Sequence, residues 1–262
     1  MPKPKVSIVT PSFNQARFLQ QTLECVRRQD YPDIEHIVVD GGSTDGSVEI
    51  LRAATGIRWL SESDRGQVDA LNKGLAMSTG EILAWLNSDD TMNPDTVSTA
   101  VAALEKTGAD LVYGDVEIVD EQGKLLKISP GIPFDFDVLL YGINYIGQQT
   151  AFFRRQLFEA AGPLREEFDN GFDYELWLRY SRHGKLAYVP ELRAQIRYHA
   201  AAKSVANATR TQADIGRIQA EYAAFGSWPA AALRPPLFSI FNLAYRMKRQ
   251  LAIRRKTPPK TV

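Results

Sequence analysis

Ile82-Leu83-Ala84-Trp85-Leu86-Asn87-Ser88-Asp89-Asp90 decides the reading of this chain. An apolar run of strand length stops abruptly at a polar, acidic tip. A buried strand that ends in carboxylates carries them to the carboxyl edge of a sheet, where α/β proteins place their ligands. Two adjacent aspartates at such an edge suit a hard divalent cation, and the cation in turn suits a diphosphate. On this segment alone another reading stands beside it, in which Asp89 and Asp90 cap a helix starting near Pro94.

Outward from that stretch, strand and helix signals alternate. Lys5–Thr10 reads as a strand closed by Pro11, and Asn14 as the N-cap of a helix with Phe18, Leu19, Leu23 and Val26 at helical spacing. Ile34–Asp40 reads as a second strand, with a glycine-rich turn at 41–46 opening a helix that carries Val48, Ile50 and Leu51. Ile57–Leu60 is a third strand, Asp69–Met77 a helix, Glu81–Leu86 the fourth strand and Asp110–Tyr113 the fifth. Tyr113–Asp120 and Leu125–Ile128 form a hairpin around Glu121-Gln122-Gly123. The alternation predicts a mostly parallel sheet with helices on both faces. Its carboxyl-end loops would be Thr10-Pro11-Ser12, Asp40-Gly41-Gly42-Ser43, Glu62–Gly66 and Asn87–Asp90, all polar or acidic. No G-x-G-x-x-G follows the first strand and no Gly-Lys-Ser/Thr follows any, which argues against a dinucleotide fingerprint and a P-loop. Acids in place of a glycine cradle imply a site that reads sugar hydroxyls and handles phosphates through a metal.

Composition agrees with a soluble globular chain of one large domain with or without a small appendage: 262 residues, 44% hydrophobic and 24% charged. Cys25 is the only cysteine, which excludes an intrachain disulfide and a cysteine-rich zinc site and fits a reducing cytosol. The N-terminus shows no signal-peptide core, and no apolar run approaches the ~18 residues of a membrane span. Net charge is zero, with 31 basic and 31 acidic residues, but no acid follows Glu221. Eight cations lie beyond it, from Arg234 to Lys260, so residues 1–221 are acidic by eight charges. A basic tail on an acidic body suggests an anionic partner for the tail.

The segments Val6–Pro32 (VSIVTPSFNQARFLQQTLECVRRQDYP), Ile37–Ser47 (IVVDGGSTDGS), Ser61–Leu75 (SESDRGQVDALNKGL), Gly80–Asp90 (GEILAWLNSDD) and Phe172–Arg179 (FDYELWLR) resemble, in order, family 2 glycosyltransferases. The resemblance implies an α/β GT-A fold: a Rossmann-like, mostly parallel sheet flanked by helices. The catalytic domain would span 1–204, with a helical, basic C-terminal extension over 205–262. Within the family the chain resembles bacterial enzymes that build lipopolysaccharide, capsule or exopolysaccharide. Thr10, Pro11 and Asp40 would line the nucleotide pocket, although Asp40 also reads as a turn residue before Gly41-Gly42. Asp64, Arg65 and the Asp69/Asn72/Lys73 face would flank the nucleotide and donor sugar, unless that face is simply solvated. Relatives that read uracil carry a second Asp where Gly41 stands, so uridine, guanosine and thymidine diphosphate sugars all stay open.

The family's Asp-x-Asp becomes Asn87-Ser88-Asp89 here. Asp89 is then the direct ligand of Mg²⁺ or Mn²⁺, while Asn87 and Ser88 belong to the donor-binding set, Asn87 toward a ribose hydroxyl. Asp90 would fix the loop. His199, in Arg197-Tyr198-His199, would be a second ligand because relatives return an Arg-x-His segment near the metal; a packed histidine is the alternative. Asp173 would be the catalytic base, with Glu175 the weaker candidate and a plain N-cap role the alternative. Gln148 and Gln149 would face the acceptor, or be ordinary loop residues.

The implied reaction is inverting, metal-dependent transfer of one sugar from a nucleoside-diphosphate sugar to a saccharide or lipid-linked acceptor. Processive relatives add Gln-x-x-Arg-Trp and membrane helices, which this sequence does not show. The other readings are a sugar-phosphate nucleotidyltransferase, whose glycine-rich loop is missing, and a non-catalytic sugar-nucleotide-binding protein, which Asn87 favours. In the tail, Leu237, Ile240, Phe241, Ala244, Met247 and Leu251 recur at helical spacing. Residues 237–256 would lie on an anionic membrane surface, making the protein cytoplasmic and peripheral on the inner face of the membrane. Packing on the catalytic domain or on a second subunit of a homodimer is the alternative. Nucleic acid is not an expected partner.

Overall fold

The computed structural model describes residues 3–199, 203, 207–225, 243, 245 and 247. The chain alternates as the sequence predicts through its first third: β1 (Val6–Ser12), α1 (Ala16–Arg27), β2 (Ile34–Asp40), α2 (Ser47–Ala53), β3 (Ile57–Ser61), α3 (Gln67–Met77) and β4 (Ile82–Trp85). β5 (Thr91–Met92), α4 (Thr96–Thr107), β6 (Leu111–Val119), β7 (Leu125–Ser129) and α5 (Phe136–Tyr141) follow. β8 (Phe152–Arg154), α6 (Arg155–Ala161), α7 (Phe172–Tyr180), β9 (Leu186–Arg197) and α8 (Ala208–Tyr222) complete the described elements.

One sheet runs β3-β2-β1-β4-β8-β6-β9-β5, with β7 pairing to β6. The pairs β1/β2, β1/β4, β2/β3 and β6/β9 are parallel. β8 is antiparallel to both β4 and β6, so the expected fifth strand does not follow the fourth directly. The hairpin is present as antiparallel β6/β7, with an irregularity at Ile118/Val119. β9 slips register against β6 around Gly114, where a Cβ would stand 1.8 Å from the Leu192 carbonyl oxygen. Only glycine permits that approach of two backbones.

Side chains alternate between two buried layers, as strands covered on both faces require. Val9, Leu83 and Trp85 enter one cluster with Leu71 of α3 and Trp177 of α7. Val6, Ile8, Ile82, Ala84 and Leu86 enter another, with Val97 and Leu104 of α4. α8 places Ile218 and Tyr222 in the same cluster as Trp177. Asn14 is not the N-cap of α1, which Gln15 precedes; it takes φ 53° and its Oδ1 accepts from the Thr44 backbone N–H at 2.9 Å. Among the described residues, no helix is long and apolar enough to cross a membrane.

The first layer leaves no room at Gly74 of α3, where a Cβ would come 2.3 Å from Val9 Cγ1 and 3.3 Å from Val39 Cγ2. Valine side chains are stiff, so the helix must move away from the sheet. Gly74→Ala is therefore expected to destabilise by about 1–2 kcal/mol even after the helix-propensity gain of alanine. Urea unfolding checks this; a stabilised variant would show that α3 does not rest on the strands this closely.

Candidate active site

The carboxyl ends of β1 and β4 open into a cleft of about 850 Å³, walled also by the first turns of α3 and α7 and by residues 196–198. Its chemistry is set by the β4 tip. Asp90 is buried, and its carboxylate accepts from Gln149 Nε2 at 2.8 Å, Gln148 Nε2 at 3.3 Å and the Arg197 backbone N–H at 3.0 Å. Burial and the neighbouring Asp89 charge push its carboxyl well above the usual range. The Thr22 hydroxyl lies 2.9 Å from the carbonyl oxygens of both Ser88 and Asp90, fixing the loop from α1. Asp90 thus holds the loop, as its sequence position implied.

That arrangement leaves Asp89 pointing elsewhere. Its Oδ2 meets His199 Nε2 at 2.9 Å, and the imidazole packs on Phe18 with ring centroids 5.0 Å apart. Arg197 steers the histidine there: its guanidinium donates to the Asp89 carbonyl at 3.0 Å, the Glu121 carbonyl at 2.8 Å and Gln21 Oε1 at 2.9 Å. One carboxylate oxygen and one imidazole nitrogen therefore converge, a donor set that fits Mn²⁺ better than the oxygen-seeking Mg²⁺. Among the described residues no group of three or more His, Cys, Asp or Glu could hold a metal; Asp89 and His199 form a pair. Asn87 Oδ1 accepts from Gln67 Nε2 at 2.8 Å, which ties the β4 tip to α3.

Asp173 enters from a second wall, in the first turn of α7 after Gly171. Burial raises its carboxyl above the ordinary value of 3.8, opposed by hydrogen bonds from the Tyr174 N–H at 2.8 Å and Asn144 Nδ2 at 3.1 Å. Glu175 does not line the cleft. It is fully buried on the far side of the helix, holding Arg179 Nε at 2.9 Å and accepting from the Tyr222 hydroxyl at 2.6 Å. The two walls are joined behind the cleft by Trp85 and Trp177, stacked at 5.4 Å and 13°.

Where the sequence reading expects a nucleotide pocket, only some of the expected residues line the cleft. Pro11, Ser12, Phe13, Gly41 and Asp64 line the cleft; Thr10 and Asp40 do not. The Thr10 hydroxyl is turned to His36 Nε2 at 2.9 Å, a ring whose burial pushes it down to about 4 and keeps it neutral. Asp40 is spent on its own turn, accepting from the Gly42 N–H at 3.1 Å, the Ser43 N–H at 2.9 Å and the Ser61 hydroxyl at 2.7 Å. Gly41 lets the Asp64 carboxylate lie against the backbone: a Cβ there would stand 2.7 Å from Asp64 Oδ2.

Arg65, Asp69, Asn72 and Lys73 are likewise off the cleft. Asp69 sits between Arg65 at 3.0 Å and Lys73 at 3.1 Å, and the Arg65 hydrogen bond holds its carboxyl down to about 2. Asn72 clasps the Leu164 backbone at 2.9 and 3.0 Å. Gln148 and Gln149 do line the cleft, but their amides serve Asp90. Ser12 Oγ, Gln148 Oε1 and Asn170 Oδ1 are buried without a hydrogen-bond partner among the described residues, and all three residues line the cleft. Asn144, Asn170, Gln67 and Lys203 were not singled out from the sequence. Isolated amides and one lysine carry no spacing signal. Phe13, 60% exposed and lining the cleft, carries none either, because its exposure is set by the fold.

The architecture is that of GT-A glycosyltransferases. TarS of S. aureus, solved with UDP-GlcNAc, matches with a TM-score of 0.68 and 16% identity over 98% of this chain and 77% of that one. A mannosyltransferase from Pyrobaculum calidifontis, solved with GDP-Man and Mn²⁺, matches with a TM-score of 0.64 and 22% identity over 100% of this chain and 77% of its own. Residues 7–162 fit Glycosyl transferase family 2, and the chain belongs to that family. An uncharacterized glycosyltransferase of Mycobacterium tuberculosis is 37% identical over 181 residues, 67% of this chain and 68% of its own length. A PGL/p-HBAD biosynthesis glycosyltransferase of Mycobacterium bovis is 34% identical over 186 residues, covering 68% of this chain and 70% of its own.

Removing the Asp90 carboxylate would leave the buried Gln148, Gln149 and Arg197 donors without their shared acceptor. Asp90→Ala is expected to destabilise by about 3 kcal/mol or more. Chemical denaturation measures it; a loss below about 1 kcal/mol would mean that the β4 loop is held by something else.

Proposed function

We propose that this glycosyltransferase moves one sugar per encounter from a nucleoside-diphosphate sugar to a hydroxyl of a saccharide or lipid-linked acceptor. The anomeric configuration is inverted, and the reaction serves the assembly of cell-surface polysaccharide or glycolipid. The observation that carries this reading is that Asp89, paired with His199 at 2.9 Å, and Asp173 line the same cleft from two different elements. Similar proteins solved with UDP-GlcNAc or with GDP-Man and Mn²⁺, and relatives named for PGL/p-HBAD biosynthesis, support it. The partnerless oxygens of Ser12, Gln148 and Asn170 suit a ligand rich in hydroxyl donors.

Charge supports a cation as well. Among the described residues the cleft is lined by Asp64, Asp89, Asp90, Asp169 and Asp173 against Arg197 and Lys203, and Arg197 is occupied by backbone carbonyls. A diphosphate would meet net repulsion there without added positive charge. When held by Asp89 and His199, Mn²⁺ or Mg²⁺ supplies that charge to the diphosphate. Asp173 takes the proton of the acceptor hydroxyl as its oxygen bonds to the anomeric carbon and the bond to the diphosphate oxygen breaks. The proton ends on Asp173 and the nucleoside diphosphate leaves. A carboxyl raised by burial is a better base near neutral pH than an ordinary aspartate, and the rate should rise with pH as it ionises.

Asp173→Asn is expected to lower transfer by roughly 10²–10⁴-fold with donor affinity kept, while Asp89→Ala should remove the Mn²⁺ enhancement of nucleoside-diphosphate binding. Initial rates, calorimetric titration and NMR of the product anomer check these points. A product of retained configuration, or an Asp173→Asn variant as fast as the wild type, would refute the mechanism.

The proposal includes peripheral attachment to an anionic membrane at the cytoplasmic face. Most of residues 237–256 lies outside the described residues. Tyr245 is buried and stacks on Tyr145 at 6.4 Å, while Leu243 and Met247 are 60% and 58% exposed. The protein is expected to sediment with anionic vesicles at low salt, and the double substitution Leu243→Glu, Met247→Glu to lose this. Sedimentation unchanged by the substitution would instead favour a role for these residues in packing or in a homodimer.

A further inference from the structure

We propose that Asn144 positions the base: its side-chain amide holds the Asp173 carboxylate in the orientation that leaves an oxygen lone pair to the acceptor hydroxyl. This rests on Asp173 being the base, as proposed above. Asn144 lies between α5 and the turn at 148–150, 29 residues away from Asp173 in sequence, and both side chains line the cleft. Its Nδ2 donates to Asp173 Oδ2 at 3.1 Å. Its own Oδ1 accepts from the Ile146 backbone N–H at 3.3 Å, which fixes the amide with its nitrogen toward the aspartate. Asp173 Oδ1 accepts from the Tyr174 N–H at 2.8 Å. The two carboxylate oxygens are thus held by different donors, Oδ2 by Asn144 and Oδ1 by the backbone, while Asp173 lines the cleft.

Few charges could replace that donor. Lys203 acts on Asp173 from the cleft, but its ammonium is held by Asp169 Oδ1 at 2.7 Å and lies 5.9 Å from the Phe172 ring. On α8, Asp214 is paired with Arg217 at 2.6 Å and accepts from the Asn170 N–H. Glu175 and Arg179 neutralise each other on the buried side of α7. Asn144 is thus the side chain that donates directly to the carboxylate. Both bonds that it and Tyr174 make favour the ionised form against burial.

The test is kcat against pH for wild type, Asn144→Ala, the bulkier apolar Asn144→Leu and Asp173→Asn, each at saturating donor and acceptor, with melting temperature and donor KM alongside. Without the amide, the acid limb should move up by about one pH unit, a tenfold change in the ionisation constant. Plateau kcat should fall by roughly tenfold through loss of orientation, and donor KM should stay within about twofold. Asn144→Leu fills the same space without a donor, so it gives the reading if the alanine variant does not fold. An unmoved acid limb in both variants, with a lowered melting temperature, would overturn the proposal and make Asn144 a tie for its loop. Asp173→Asn separates the two claims: full activity there refutes the base assignment, whatever Asn144 does.

Discussion

A carboxylate with its water removed has to be surrounded by donors, and that requirement at Asp90 organises the site. The donors come from far along the chain. Gln148 and Gln149 stand just ahead of β8, and Arg197 is the last residue of β9. Satisfying one buried group therefore draws two separate segments onto the tip of β4. Everything useful about Asp89 follows from this. With Asp90 turned inward, the preceding side chain is turned toward the cleft. The chain that supplied the Arg197 N–H then delivers His199 two residues later.

The second wall is tied to the first by apolar contact rather than by hydrogen bonds. Trp85 ends β4, one turn of chain before Asn87, and Trp177 sits one helical turn beyond Asp173. Their stacked rings fix the distance between the strand tip and the helix that bears Asp173. Behind α7 the fully buried Glu175, bonded to Arg179 and Tyr222, clamps the helix to the segment before it and to α8. Charged residues thus do two different jobs in neighbouring turns, and burial separates them: Asp173 opens to the cleft, Glu175 does not.

What the sequence revealed follows the same physics. β1, β2 and β4 were legible as mainly apolar runs that end in polar residues and are largely buried, whereas β3, a partly exposed edge strand, was legible from its alternation with the helices. Ala151-Phe152-Phe153 reads as a short strand and β8 forms there, but nothing in so short a run tells that it inserts antiparallel between β4 and β6; β9 contains Pro190 and gives no periodic signal. Asp89, His199 and Asp173 were singled out through motif resemblance; Asp89 and Asp173 line one cleft, and His199 pairs with Asp89 without lining it. Thr10, Asp40, Asp69 and Lys73 occupy the anticipated segments, but their side chains are consumed by nearby partners. Position along a strand tells where a residue is, not whether its polar atoms are still free. Asn144 and Asn170 show the converse, since a lone amide in a loop has no pattern until the fold surrounds it.

Gly41 carries a consequence for how such a site can change over generations. The Asp64 carboxylate lies in the volume that a side chain at position 41 would need, so Asp64 would have to turn aside for one. A change at 41 therefore acts on two groups at once, adding its own side chain and re-aiming a carboxylate that lines the cleft. The two positions form one unit of inheritance, in which the effect of a substitution at 41 depends on what stands at 64.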